Sequence, residues 1–419
     1  MAPILNAWIA QGSGKGDPFA ILAAVDKEQL AAGYAAEHRP LLLLAEGKKE
    51  GAAELKQFIA AAGPRGARLR IAGAATLARK GKRDQALALL EGDSPAIAAA
   101  RRLVESRKPI PGEIGGAEAG VAEFFLRLAL ELSGQKADRV ALSFARLATY
   151  LAPRNGAAWL VTGELLGASE QEREALTVLA NVKPDDPFAG EATDVRVRLL
   201  STTGRKELAL QEAEAAARSP SAGAPDLTRL GDVYSSLERH EDAARAYGQA
   251  IERTRAAGGE AGWWLWMLQG SALEQAGKWP EAKAALQTAQ KLAPEQPLVL
   301  NYLGYSQLTR RENIEEAMAL IAKASKLQPD SHEITDSLGW AHFLRGNVGE
   351  AIELLERAAK GRPADPEINE HLGDAYYKAG RRFEARYAWQ AALLHADGED
   401  AARLRAKIED GLTAKLASP

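Results

Sequence analysis

The 419-residue chain contains no cysteine. Thiol catalysis, disulfide staples, thiolate zinc sites and iron–sulfur clusters are therefore excluded. Histidine is scarce, at positions His38, His240, His332, His342, His371 and His395. None of these falls in a His-x-x-x-His or His-Glu-x-x-His spacing that would set two ligands on one helical face. His332 with Glu333 and Asp336, and His371 with Glu370 and Asp374, offer a few ligand atoms each, but without that spacing they read as solvated helix residues. An excess of charge of either sign is missing too: 53 Lys and Arg against 56 Asp and Glu leave a formal charge of −3. The basic surplus expected of a dedicated nucleic-acid binder is thus absent. No stretch approaches the ~18 apolar residues of a membrane-spanning helix, and the run Leu41 to Ala45 is far too short.

Catalytic signatures are also wanting. Gly12-Ser13-Gly14-Lys15-Gly16 superficially resembles a phosphate-binding loop, but Ile9 stands where the first glycine belongs and Gly16 where a Ser or Thr belongs. It reads as a turn between helices. Gly115, Gly116 and Gly120 open a helix with no strand before it, which argues against a dinucleotide site. No Gly-x-Ser-x-Gly elbow occurs. Neither an enzyme, a metal, a cofactor nor a small-molecule ligand is expected. Met1-Ala2-Pro3 is followed at once by Ile4, Leu5, Trp8 and Ile9, without the basic region, apolar core and cleavage site of a signal peptide. A helix that starts uncapped in this way reads as trimmed, which leaves room for a targeting segment upstream of this numbering.

What the chain does have is 46% hydrophobic and 26% charged residues, a globular composition, and a repeat. Helix positions with glycine recur at Gly231, Gly270, Gly304, Gly339 and Gly373, at spacings of 39, 34, 35 and 34. Twelve residues after each comes Ala243, Ala282, Ala351 or Ala385, with Ala317 displaced by one. Four residues further stands a bulky group: Tyr247, Leu286, Ile321, Leu355 or Trp389. Pro294, Pro329 and Pro363 close three of the units. Small residues let two antiparallel helices approach, the large residue fills the space beneath them, and proline ends the second helix. The longer spacing holds the Gly-rich insertion around Ala256-Ala257-Gly258-Gly259, and the spacing of 35 holds one extra residue in the turn Arg311-Glu312-Asn313. Both fall in loops, where insertions are tolerated.

Residues 224–397 resemble the tetratricopeptide repeat (TPR) family. The resemblance implies an all-α fold, a right-handed superhelical solenoid of stacked helix hairpins. Earlier units keep the frame more loosely: Trp159, Gly163, Ala175 and Leu179 fit one, and Gly81 to Ala86 reads as the turn of another. The expected organisation is degenerate helical repeats over 1–110, TPR-like repeats over 111–223, a well-formed array over 224–397, and a capping helix and tail over 398–419. Period-two alternation is scarce, so essentially no sheet is expected.

In that family the first helix of each hairpin lines a concave groove. Carried onto this chain, the resemblance implies a partner-binding surface of Trp264, Asn301, Tyr305, Leu308, Asp336, Trp340, Phe343, Glu370, Asp374 and Tyr377. Trp159 and Trp266 fall on the internal aromatic position, Trp279 on the inter-helix turn and Trp389 on the bulky site of the second helix, and all four are expected in the core, whereas Trp340 and Trp264 fall on the groove. Some relatives clamp a partner's C-terminal carboxylate with lysine, asparagine and arginine, but Thr228, Met267, Asn301, Asp336 and Glu370 depart from that pattern. The expected ligand is an apolar partner segment with basic or neutral flanks, bound between Trp264 and Tyr377. The stretches Leu300 to Ser306, Asp336 to Trp340 and His371 to Asp374 are similar to bacterial envelope TPR proteins, often lipoproteins, some of which deliver substrates to periplasmic carboxyl-terminal processing proteases. This implies a scaffold or adaptor that is periplasmic or outer-membrane-associated. A cytoplasmic assembly factor for a multiprotein complex is the alternative, and a transferase stripped of its catalytic domain is the weakest reading.

Overall fold

In the computed structural model, residues 1–25, 31–61, 66–92, 94–220, 222–413 and 416 are described. All regular structure among them is helical. Ser221 of the expected middle repeats and residues 414, 415 and 417–419 of the expected tail lie outside the described residues. The chain divides into two compact units, Met1–Leu237 and Glu238–Pro419.

The first unit begins with α1 (Ala2–Ser13), α2 (Pro18–Ala23), α3 (Ala31–Ala45), α4 (Gly51–Ala60) and α5 (Gly66–Arg79). It continues with α6 (Arg83–Leu89), α7 (Pro95–Glu105), α8 (Ala117–Gly134), α9 (Asp138–Leu151) and α10 (Gly156–Ala168). It ends with α11 (Glu172–Leu179), α12 (Ala189–Thr202), α13 (Lys206–Ala217) and α14 (Ala224–Ser236). Gly12 and Ser13 end α1, and the turn to α2 runs from Gly14, left-handed at φ 65°, through Gly16. One apolar cluster runs from Ile4 and Trp8 to Phe124, and a second from Ala122 to Leu199. Charge is buried between them: α8 sends Glu123 to Arg68 of α5 and Arg127 to Glu37 of α3, at 3.2 Å for the latter. Beside them Trp8 Nε1 donates to Nδ1 of the fully buried His38 at 3.0 Å. Burial first, and then the Arg127 and Arg68 cations, push the His38 pKa down to about 3.

The second unit consists of α15 (His240–Ala256), α16 (Trp263–Gln275), α17 (Trp279–Leu292), α18 (Pro297–Thr309), α19 (Ile314–Leu327), α20 (His332–Leu344), α21 (Val348–Gly361), α22 (Pro366–Lys378), α23 (Arg382–Leu393) and α24 (Gly398–Asp410). Helices α16 to α23 form four antiparallel hairpins whose joints follow the chemistry of the sequence. Pro294, Pro329 and Pro363 stand two residues beyond the ends of α17, α19 and α21. Asp365 and Ser331 cap the next first helices with side-chain acceptors. Gly277, Gly346 and Gly380 make three of the inner turns with φ of 74°, 84° and 82°. In the fourth turn, the one with the extra residue, Arg311 and Asn313 carry the left-handed conformation instead.

Four of the repeat glycines lie under the bulky residue of their own hairpin. A Cβ on Gly270 would come 2.7 Å from Leu286, on Gly304 2.8 Å from Ile321, on Gly339 2.8 Å from Leu355, and on Gly373 2.4 Å from Trp389. Gly163 and Leu179 repeat the arrangement in the first unit, at 2.5 Å. Apolar clusters join successive hairpins: Leu286 of α17, for example, packs with Leu300 and Leu303 of α18, Leu320 of α19 and Ile334 of α20. No helix among the described residues is long and apolar enough to cross a membrane.

Candidate functional site: the first-helix face of the second unit

The first helices α16, α18, α20 and α22 carry all ten residues that the sequence singled out. They are not equally available. Six residues before the repeat glycine, Trp264 is 47% exposed on α16 and Leu298 54% exposed on α18. Asn301, one turn beyond Leu298, is half-buried, and its Oδ1 has no hydrogen-bond partner. A depression lined by Trp263, Ala293, Pro294, Gln296 and Lys323 opens at the start of these two helices. This end of the face is open.

Towards the C-terminus the same face is closed by its own side chains. The Tyr305 hydroxyl on α18 donates to Glu367 on α22, passing over α20. Contact between helices two hairpins apart means that the first helices converge on this face. Beneath that bond Trp340 is fully buried, stacked on Phe343 with centroids 4.7 Å apart and on His371 at 4.2 Å. His371 Nδ1 lies 2.9 Å from Asp336, and both residues are buried. Burial opposes charging this imidazole, but the Asp336 carboxylate outweighs it and raises the His371 pKa. Burial likewise raises the pKa of Asp336 itself, against the pull of His371.

The last acids of the face are neutralised by α24. Arg403 donates two hydrogen bonds of 2.7 Å to Glu370. Lys407, completely buried, reaches Glu370 at 2.6 Å and both oxygens of Asp374 at 2.8 Å. Trp389 Nε1 adds a bond of 2.9 Å to Asp374. Burial alone would raise the Glu370 carboxyl, yet Arg403 and Lys407 prevail and hold it down at about 2.

Several expectations therefore need correction. Trp340 is not an exposed groove aromatic, because the tight approach of α18, α20 and α22 buries it between Phe343 and His371. Leu308 is buried as well, packed with Ala317, Ile321 and Trp340. Asp336, Glu370 and Asp374 are 4%, 4% and 0% exposed, since each meets a cation or imidazole from the following first helix or from α24. Tyr377 is half-buried, its hydroxyl accepting from Arg382 at 2.6 Å. His371 is a buried dyad partner rather than a solvated residue. Conversely Trp159, Trp266 and Trp279 are only partly covered, with Trp266 and Trp279 lying under Arg255 and Arg310. Sequence reasoning overlooked the roles of Arg403 and Lys407. The signal was there: Asp336 and His371 are 35 residues apart, Glu370 and Arg403 33, and Asp374 and Lys407 33, each about one repeat period. Among the described residues no three His, Cys, Asp or Glu are placed to hold a metal.

The chain matches the tetratricopeptide repeat family over residues 227–256 and 267–332, and a related TPR repeat over 339–380. A 53-residue stretch is 43% identical to the TPR repeat-containing protein PA4667 of Pseudomonas aeruginosa, spanning 13% of this chain and 9% of that protein. Among solved structures, the thermophilic TPR protein TTC0263 of Thermus thermophilus is 20% identical, over 45% of this chain and 98% of that one, with a TM-score of 0.38. The C-terminal part of a TPR repeat-containing protein of Cytophaga hutchinsonii is 16% identical, over 61% and 99%, with a TM-score of 0.39. TPR repeats indicate a protein-interaction scaffold with protein partners. In this array the first-helix face has an open N-terminal end and a C-terminal end filled from within.

Proposed function

We propose that this chain is a non-catalytic scaffold whose open first-helix face, around Trp264 and Leu298, receives an apolar segment of a partner protein. The observation that carries the proposal is the exposure of Trp264 and Leu298 at one register on successive repeats. An exposed indole is a residue type enriched at interaction hot spots, and the exposed leucine on the next repeat adds apolar surface for a partner segment. The sequence resemblance to envelope TPR proteins extends the proposal: the chain serves in the bacterial periplasm or at the outer membrane, bringing substrates to a carboxyl-terminal processing protease. Holding both on one scaffold raises their effective concentration.

The test compares wild type with the Trp264→Ala/Leu298→Ala variant, both purified, for capture from envelope and soluble fractions. Captured proteins are then titrated individually, and substrate cleavage by a captured protease is timed. The expected result is an envelope partner bound at least about tenfold more weakly by the variant, with slower cleavage in its presence. Equal binding by both forms would overturn the site, and partners drawn only from the soluble fraction would move the protein to cytoplasmic assembly.

A further inference from the structure

The second helices of the array face outward, and four of the five repeats marked by a glycine agree on what that face requires. At two residues before the repeat alanine, and two and nine after it, α15, α17, α19 and α21 carry charged, proline or small residues, for example Gly349, Glu353 and Lys360 on α21. Packing of the hairpins places no apolar demand there. On α23 the same three positions are Phe383, Tyr387 and Leu394, which are 78%, 70% and 80% exposed. A helical wheel places the three with exposed Gln390 within one narrow stripe. The repeat thus serves as its own control: these residues answer to something outside the hairpin.

The stripe is self-complementary. In an antiparallel pairing of two α23 helices about a point between Ala388 and Trp389, Phe383 meets Leu394 and Tyr387 meets Gln390, in both directions. Charge follows the same symmetry. Arg381, Arg382 and the exposed Arg386 occupy the start of α23 and its near side, whereas Asp397, Glu399 and Asp400 follow its end. An antiparallel copy brings the basic start of each α23 towards the acidic residues that follow the other's end. The same acids, together with Glu384, disfavour an anionic lipid surface. A twofold interface of this kind requires that each contact occur twice.

We propose that α23 is a homodimerisation face, its occupant the α23 of a second copy of this chain. Twelve residues make a helix about 18 Å long, and three large side chains bury far less than the ~800 Å² per partner of a stable interface. The dimer is therefore weak and concentration-dependent, in the micromolar range or above, and doubles the valency of the partner-binding face.

Sedimentation of the full chain from about 1 to about 300 µM measures the association. Wild type is expected to pass from monomer to dimer, and the Phe383→Glu/Leu394→Glu variant to associate at least about tenfold more weakly while keeping its circular dichroism. Because the chain has no cysteine, introduced thiols report geometry cleanly. A mixture of Tyr387→Cys and Gln390→Cys chains should form the mixed disulfide several-fold above either like-with-like disulfide, with Glu353→Cys as the unreactive control. A monomer at every concentration, an unchanged dimer in the glutamate variant, or equal cross-linking at Glu353→Cys would overturn the proposal. So would a monomeric chain in which the stripe binds anionic vesicles or an acidic amphipathic peptide.

Discussion

Trp264 on α16 and Trp340 on α20 both lie on first helices, two repeats apart, and their opposite fates show what a single residue can and cannot declare. Trp264 leans into solvent, while Trp340 is walled in by Phe343, His371 and Leu308. Trp340→Ala should cost about 3–5 kcal/mol of unfolding free energy, as truncation of a buried aromatic does. Trp264→Ala should stay within about 0.5 kcal/mol, and urea unfolding of the two variants distinguishes them. Any loss of binding in a Trp340 variant is thus read together with its stability. The repeat glycines make the complementary case. Gly373→Ala gains helix propensity of up to about 1 kcal/mol, yet its methyl group would stand 2.4 Å from Trp389. A net destabilisation of about 1–3 kcal/mol is expected from overpacking, and a neutral or stabilised variant would contradict the packing described.

Helix α24 contributes at a different scale, because its two cations satisfy carboxylates that another helix has already buried. Lys407→Ala leaves Glu370 and Asp374 without that ammonium in a dry contact, and breaking such a pair costs about 3–5 kcal/mol. Lys407→Ala combined with Asp374→Asn should recover part of the loss, measurable as a coupling energy in a double-mutant cycle. The Glu370 carboxyl titrates lower when folded than when unfolded, so its contribution is present above about pH 4.5 and disappears as the pH falls towards about 2. Exchange protection in α24 should fall through that window, and Glu370→Gln should flatten the dependence. If α24 keeps its protection down to pH 2, the Arg403 and Lys407 contacts do not hold it.

Across the whole molecule the two units should respond to pH in opposite directions. His38 in the first unit is held neutral, with its pKa down at about 3. The unfolded chain therefore takes up a proton that the folded unit refuses, and stability is lost as the pH drops from about 6.5 towards 3. His371 in the second unit is raised by Asp336, so its contribution is complete below about pH 6.5 and is lost as the pH rises through the higher folded value. Hydrogen exchange at pH 5.5 and 8 should show α3 less protected at the lower pH and α20 and α22 less protected at the higher. His371→Gln should abolish the second effect and leave the first. The division of labour between chain and fold follows the same lines. Periodicity sufficed for the helices, the turns and the pairing of Gly270, Gly304, Gly339 and Gly373 with Leu286, Ile321, Leu355 and Trp389, because each pair lies within one hairpin and its contact is set by spacing along the chain. Availability of the first-helix face was not legible in that way. Whether Trp340, Asp336 or Glu370 meets solvent depends on how closely successive hairpins converge and on what Tyr305, His371 and Lys407 bring from 33 to 62 residues away. Those are contacts between repeats, and only the stacking of the repeats decides them.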